Sequence, residues 1–386
     1  MSDVVSVGLL TRVFPPSLVD EVIAGVGRTE QRKRSLPARV VAYFTIGMGL
    51  YSQGSYEDVF GQLTDGLSWS SRWRETWVVP SASAIFQARV RLGFEAVEAL
   101  FRRVAHPLAS AVTPGSWLAG RRLVSIDGTC LDVADTPANE KVFGRPGVNK
   151  GERAAFPQVR MVALVECGTH ALFDAVVGPY STGEVELSRE LVTRLQPGML
   201  CLADRGFYGF RLWQAAAATG ADLLWRMRSS QRLDVIEVLA DGSYLSQVFE
   251  DHNSKRRGEG LTVRVIDYTF DDGRDNDTEY QLITTILDPG EASATDLALA
   301  YAQRWEIESV LDELKTHQRG PRAVLRSKSP DLVKQEIWGY LCCHFAIRTL
   351  MWEAADHAQL DPDRVSFTTA LRIVRRSVSQ PRDFSP

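Results

Sequence analysis

The sequence predicts a mixed α/β protein whose sheet-bearing middle is preceded by helices and followed by helices. Three observations predict it. Apolar residues up to about residue 105 recur at helical spacing. From residue 123 the texture changes to short β-branched runs with turn residues between them. After 330 the helical spacing returns. A 386-residue chain with 45% hydrophobic residues buries a substantial core. No apolar run of membrane-spanning length occurs and the N-terminus lacks a signal-peptide pattern, so the expectation is a cytoplasmic protein with no membrane partner. The five cysteines form no CxxC pair and read as reduced thiols. Cys342-Cys343-His344 lies in an apolar stretch without a second ligand pair and reads as buried packing.

In the helical part, residues 1–110, "PSLVDEVIAGV" and "LPARVVAYFTIGMGLYSQ" are amphipathic runs punctuated by Pro and Gly. "PSASAIFQARVRLGFEAVEALFRR" divides at Gly93 into two short helices, with Ser81 or Ser83 as N-cap. It reads either as a helix-turn-helix presenting "IFQARVRLG" to DNA or as part of a small bundle. A linker, 109–122, leads into the central unit, 120–330. There the predicted strands are 123–127, 130–134, 157–166, 171–178, 199–204 and 222–227, with helices over 184–195 and 210–220. Residues 233–288 are β-rich and interrupted by two polar loops, "EDHNSKRRGEG" and "DDGRDNDTE", and read as an insertion ahead of a helix at 297–317. Two further helices, near 331–356 and 364–378, belong to the C-terminal part, 331–386.

Net charge is −4, so bulk charge argues for no nucleic-acid partner, but its distribution is uneven. Residues 1–118 carry a net of +2, and segment 315–350 holds seven basic residues against two acidic ones. On an ideal wheel, Tyr301, Arg304, Glu308 and Lys315 of "YAQRWEIESVLDELK" fall within an arc of about 60°, opposite a core face with Leu299, Ile307, Val310, Leu311 and Leu314. Arg304 and Glu308 alone would be an ordinary i,i+4 surface pair. Asp312 shares their face, so the wheel does not single out Glu308. Two other carboxylates change the weight of that stripe. Asp127 ends an apolar strand in "VSIDGT", and Asp204 ends another in "CLADRGFYG". Either alone reads as a turn former. Two carboxylates at strand ends with a third from a packed helix make an all-oxygen donor set for hard divalent cations of the kind that serve phosphodiester chemistry.

These residues carry a resemblance. The spacing Y-x2-R-x3-E-x6-K met by Tyr301, Arg304, Glu308 and Lys315, with the "SIDGT" and "ADRGFYG" contexts and Gly183-Glu184 between them, resembles the insertion sequence 4 group of DDE transposases. The separations, 77 residues from Asp127 to Asp204 and 104 on to Glu308, leave room for the β insertion of that group, and the first hundred residues resemble its helical N-terminal domain. The resemblance implies a ribonuclease H-like core in which Asp127, Asp204 and Glu308 are catalytic and hold two Mg2+ ions, with Mn2+ able to substitute. It implies cut-and-paste transposition at terminal inverted repeats, double-stranded DNA (element ends and target) as partner, a homodimer on DNA, and residence at the bacterial nucleoid. Tyr301, Arg304 and Lys315 would contact the DNA backbone. Arg319 and Arg322 of the basic connector, with Arg326 and Lys328, and Lys255, Arg256 and Arg257 of the insertion are further phosphate contacts in this reading, as are Arg121 and Arg122. Trp305 and Tyr280 are aromatics placed to stack on an unpaired base. The rival readings are a nuclease of the same fold that does not rejoin, and an inactive DNA-binding copy that inhibits transposition.

Overall fold

The computed structural model describes residues 5–32, 36–65, 79–147, 153–228, 231–270, 278–320 and 324–376. Among the described residues, six helices open the chain: α1 (Val5–Val13), α2 (Pro16–Gly25), α3 (Ala38–Leu50), α4 (Tyr56–Asp65), α5 (Ala82–Leu92) and α6 (Phe94–Val104). A short β1 (Trp117–Leu118) then pairs with the long β2 (Arg121–Asp132), and α7 (Pro137–Phe143), β3 (Gln158–Glu166) and β4 (Leu172–Pro179) follow. Next come α8 (Glu184–Val192), β5 (Met199–Ala203), α9 (Phe210–Ala217), β6 (Asp222–Arg226), β7 (Glu237–Val238), β8 (Tyr244–Val248), α10 (His252–Arg257), β9 (Leu261–Phe270) and β10 (Thr278–Thr284). α11 (Ala294–Ala302), α12 (Trp305–Asp312), a π-helical turn (Glu313–Gln318), α13 (Pro330–His357), a 3-10 turn (Pro362–Arg364) and α14 (Phe367–Arg376) complete it.

The strands form a single mixed sheet in the order β4-β3-β2-β5-β6-β10-β9-β8-β7. β2, β5 and β6 are parallel neighbours and the remaining pairs are antiparallel. The two runs expected as separate strands, 123–127 and 130–134, are one continuous strand, because Gly128 pairs with Val162 instead of turning the chain. The β-rich insertion joins the sheet, since β10 pairs with β6 from Leu282 opposite Arg226 to Thr284 opposite Leu224. Its first polar loop contains α10, capped by the Asp251 side chain, which accepts from the Ser254 N–H. Residues 271–277 of the second lie outside the described residues.

Helices cover both faces of the sheet, as the alternation of apolar residues requires. Val162 and Leu164 of β3 and Val124 and Ile126 of β2 pack with Leu191, Leu212 and Trp213 of α8 and α9. Val159, Met161, Ala163 and Val165 face the other way, into a core shared with α12, α13, α14 and the N-terminal helices. The helices at the two ends of the chain thus share one interior. α13 lies against α3 closely enough that a Cβ on Gly339 would stand 2.5 Å from the Thr45 carbonyl oxygen. Gly339→Ala must push two helix backbones apart; it is expected to lower stability by about 2 kcal/mol, read as a fall in the urea midpoint at unchanged slope. Cys342 and Cys343 are buried in the same helix, and burial pushes the Cys343 thiol up to about 12. On α5, Arg89 is buried and donates to the Gln335 side chain and the Leu332 carbonyl oxygen of α13, so only Phe86, Val90 and their neighbours on the outer face remain exposed.

Candidate active site

β2 and β5 run parallel, and their last paired residues are Ile126 and Ala203. The next residue on each strand's chain is an aspartate, Asp127 inside β2 and Asp204 just past the end of β5, so the two carboxylates stand side by side at the same level. β5 stops at Ala203 while β2 continues to Asp132 with β3 on its other side, which leaves a notch in the sheet beside Asp127. The third carboxylate comes from α12, which packs on β2.

The approach to α12 is not the straight helix expected over 297–317. Gln303, Arg304, Glu306 and Ile307 donate their N–H groups three residues back, to Ala300, Tyr301, Gln303 and Arg304. Such bonds turn the chain by about 120° per residue instead of 100°. The break rotates the residues before it relative to those after it. Leu299, expected in the core, is 66% exposed, whereas Tyr301 and Arg304, expected on the polar surface, are buried. Tyr301 donates from its hydroxyl to the carbonyl oxygen of Ala203, 3.4 Å away, the last residue of β5. Burial pushes its phenol above the usual range.

Arg304 sits among the carboxylates. Its guanidinium is 3.2 Å from Glu308 and 3.8 Å from Asp127. Burial works against its charge, but Tyr301, Asp204, Asp127 and Glu308 around it raise its pKa overall. Asp204 also faces Arg226 at 3.9 Å. Asp127 is half-buried; burial lifts its carboxyl to about 6, against the pull of the Gly128 N–H and Arg304 and with help from the negative Glu184 and Glu308. An all-carboxylate set of this kind suits a hard divalent cation. Asp312 accepts from Thr316 and lies 3.3 Å from His317, whereas Glu308 is the carboxylate of this helix paired with Arg304. Lys315 is exposed on the π-helical turn. Trp305 is 54% exposed with the Arg304 guanidinium 4.5 Å from its ring centre. Tyr280 stacks on Tyr268 at 5.2 Å and carries Arg226 over its ring at 3.9 Å.

Several predicted phosphate contacts are already engaged inside the protein. Arg319 is buried beside the Tyr340 ring, and burial lowers its pKa. Arg326 donates to the carbonyl oxygens of Ser52 and Gly54. Arg121 pairs with Asp222 and Glu291, and Arg122 with the buried Glu166. A basic residue in a sequence does not reveal whether an acidic partner folds against it, and here one or more backbone or carboxylate oxygens do. On α10, Lys255 pairs with Asp234 and Arg257 with Glu259, while Arg256 is exposed; none of the three lies within ion-pair distance of Asp127, Asp204 or Glu308. Lys328 is exposed, and Arg322 lies outside the described residues.

The sequence reading passed over Arg226 and the position of Glu184. Arg226 follows from β6 being parallel to β5, so that its end reaches Asp204; a basic residue closing a strand after "DLLW" was the available signal. The one set of three metal-capable groups drawn within 4.8 Å among the described residues is elsewhere, at His170, Glu306 and Asp363. Arg348 stands 2.8 Å from His170 Nδ1. Arginine only donates, so Nδ1 accepts and the proton sits on Nε2, toward the two carboxylates, leaving no lone pair there for a metal.

A mixed sheet with helices on both faces, and carboxylates gathered where β5 stops beside β2, are features of a DNA-processing enzyme of the transposase class. Residues 4–102 match the family model of the insertion element 4 transposase N-terminal region, and residues 118–346 match the transposase DDE domain. The chain belongs to the DDE transposases of the insertion element 4 type, and it is a DNA transposase. It is 30% identical over 378 residues to the transposase InsG for insertion sequence element IS4 of Escherichia coli (strain K12), covering 96% of this chain and 83% of that protein. A putative transposase InsZ of the same organism is 31% identical over 144 residues, 37% of this chain and 48% of that protein. Among solved structures, the piggyBac transposase synaptic complex with hairpin DNA shares the fold, with a TM-score of 0.52 at 10% identity over 98% of this chain and 80% of that one. Among the described residues no helix is long and apolar enough to cross a membrane.

Proposed function

We propose that the chain catalyses cut-and-paste transposition of an insertion sequence, with Asp127, Asp204 and Glu308 as the catalytic carboxylates of a ribonuclease H-like core. The observation that carries this reading is the placement of Asp127 and Asp204 at the same level of parallel β2 and β5, where β5 stops and β2 runs on, with Arg304 bridging Asp127 to Glu308 from the helix above. Two Mg2+ ions, replaceable by Mn2+, supply activation of the attacking oxygen and stabilisation of the leaving 3′ oxygen when bound at these carboxylates. The chain's own residues do the rest. β2 and β5 hold two carboxylates rigidly, and the Tyr301 hydroxyl on Ala203 ties the broken helix to the sheet edge where Asp204 begins. The Tyr-Arg-Glu-Lys spacing is the signature of this arrangement: Tyr301 positions, Arg304 offers a guanidinium to the DNA backbone once its carboxylate partners are otherwise neutralised, Glu308 ligates and exposed Lys315 meets a phosphate. Exposed Trp305 offers a ring face to an unstacked base, and Tyr280 a second one. Residues 1–110 form the end-binding domain, 120–330 the catalytic core with the insertion, and 331–386 the C-terminal helices. The enzyme acts as a homodimer pairing two ends of double-stranded DNA, at the nucleoid of a bacterial cytoplasm.

The test uses purified protein and a Glu308→Gln variant on labelled DNA carrying the element's terminal repeats, with a plasmid target, in Mg2+ and in chelator. Mg2+-dependent end cleavage and joined products from the native protein, with end binding but neither product from the variant, is the expected result. Cleavage without joining would leave a nuclease; binding without cleavage by both proteins would leave an inhibitor.

A further inference from the structure

Gly128 poses a question that its conformation does not answer. It lies inside β2, paired with Val162, and its φ is not in the left-handed region. What requires a glycine there is a neighbour. A Cβ at position 128 would stand 2.7 Å from both Cγ and Cδ of Glu184 and 2.8 Å from its Oε1. Glu184 is the first residue of α8, and its N-cap is Gly183, which offers no side-chain bond. Its side chain folds back across the bare backbone of residue 128, next to Asp127.

The surroundings of this carboxylate differ from those of the other three. Asp127 and Glu308 share Arg304, and Asp204 faces Arg226. Among the described residues no cation lies within ion-pair distance of the Glu184 carboxylate and no donor is hydrogen-bonded to it, although the residue is half-buried. A half-enclosed carboxylate beside another, with no donor, is costly unless a cation joins it. α8 covers the sheet face opposite α12, but β5 ends at Ala203, so beside Asp127 and Gly128 no β5 backbone separates the two faces.

Resting on the metal reading above, we propose that Glu184 is a fourth carboxylate ligand of the metal centre, on the side of Asp127, and that Gly128 is glycine to admit it. The test is Mn2+ binding to the full-length protein in the absence of DNA, followed by electron paramagnetic resonance of free Mn2+. Glu184→Gln is expected to weaken Mn2+ binding about tenfold or more. Gly128→Ala, which keeps every ligand but fills the space Glu184 occupies, is expected to weaken it similarly, while Glu186→Gln, one residue pair further along α8, leaves it unchanged. Asp204→Asn serves as the reference. If Asp204→Asn weakens binding and both Glu184→Gln and Gly128→Ala bind as the native protein does, the proposal is overturned and the three-carboxylate site stands. If Asp204→Asn also binds as the native protein does, the metal reading falls and the proposal with it.

Discussion

Asp127→Asn is expected to abolish DNA cleavage while making the metal-free protein more stable. The carboxyl of Asp127 is lifted to about 6 in the folded chain, by burial first, whereas in the unfolded chain it titrates near the ordinary value of about 4. Between those two values the folded state holds a proton that the unfolded state has released. Stability therefore falls as pH rises through this window, and at neutral pH the ionised group costs on the order of 2 kcal/mol. Asparagine removes the charge and keeps an oxygen to accept the Gly128 N–H, which Asp127 accepts at 2.7 Å. The variant should unfold several degrees above the native protein at pH 7.5 in chelator, and the difference should shrink as pH falls and vanish below about pH 4, where Asp127 is protonated in the folded and the unfolded chain alike. Added Mg2+ should raise the native midpoint and leave the variant where it was. End cleavage should fall by at least about a thousandfold, the scale set by removing a group that stabilises charge only in the transition state. A variant no more stable than the native protein at pH 7.5 would mean that Asp127 is not strained in the folded chain. The cost is of the kind that functional sites accept, because a carboxylate unhappy alone binds a cation more readily.

How much of this was legible in the sequence depended on whether the pattern was local. Asp127, Asp204 and Glu308 could be singled out because each sits beside a local marker, an apolar strand run or a helical stripe, and the succession of strands and helices along the chain was written in the same texture. Gly128 was not. A glycine after "SID" reads as a turn, and its real reason is Glu184, 56 positions along the chain. The helix at 297–317 failed as an ideal wheel because hydrogen bonds three residues back, unmarked by Gly or Pro, shift the register between Tyr301 and Glu308. The environment of several basic residues was hidden for a different reason. Arg121, Arg122, Arg319 and Arg326 acquire carboxylate, ring or carbonyl partners from distant segments, and no one-dimensional charge count records that. The insertion joined the sheet through β10 and β6, whose nearest paired residues, Leu282 and Arg226, are 56 positions apart.

Glu313→Ala is expected to be the most destabilising single change near the site. Glu313 opens the π-helical turn that follows α12, and π-turns of this kind expose or aim residues at functional sites. Its carboxylate is turned inward, 3.0 Å from His344 Nε2 and 3.1 Å from Arg348 Nε, with a second, shorter bond from Arg348. Burial lowers the His344 pKa, so that ring is neutral and donates from Nε2. Arg348 is buried, and the one carboxylate bonded to it among the described residues is that of Glu313. Alanine at 313 therefore strands a buried guanidinium, at a cost of about 3–5 kcal/mol. The turn itself loses its anchor, and with it the fixed relation between Glu308 on α12 and Lys315 on the turn. Urea denaturation should show the loss directly. Replacing both partners, Glu313→Leu with Arg348→Met, removes the charge and its counter-charge together and should recover most of the stability. Cleavage should not recover with it. A leucine at 313 packs inward but makes none of the directed bonds to His344 and Arg348 that fix the π-turn, so Lys315 and Glu308 no longer hold their native relation, and end cleavage assayed well below the melting temperature should stay reduced at unchanged end binding. Full recovery of both stability and cleavage in the double variant would show that the buried ion cluster supports folding alone and has no part in placing the glutamate and lysine of the site.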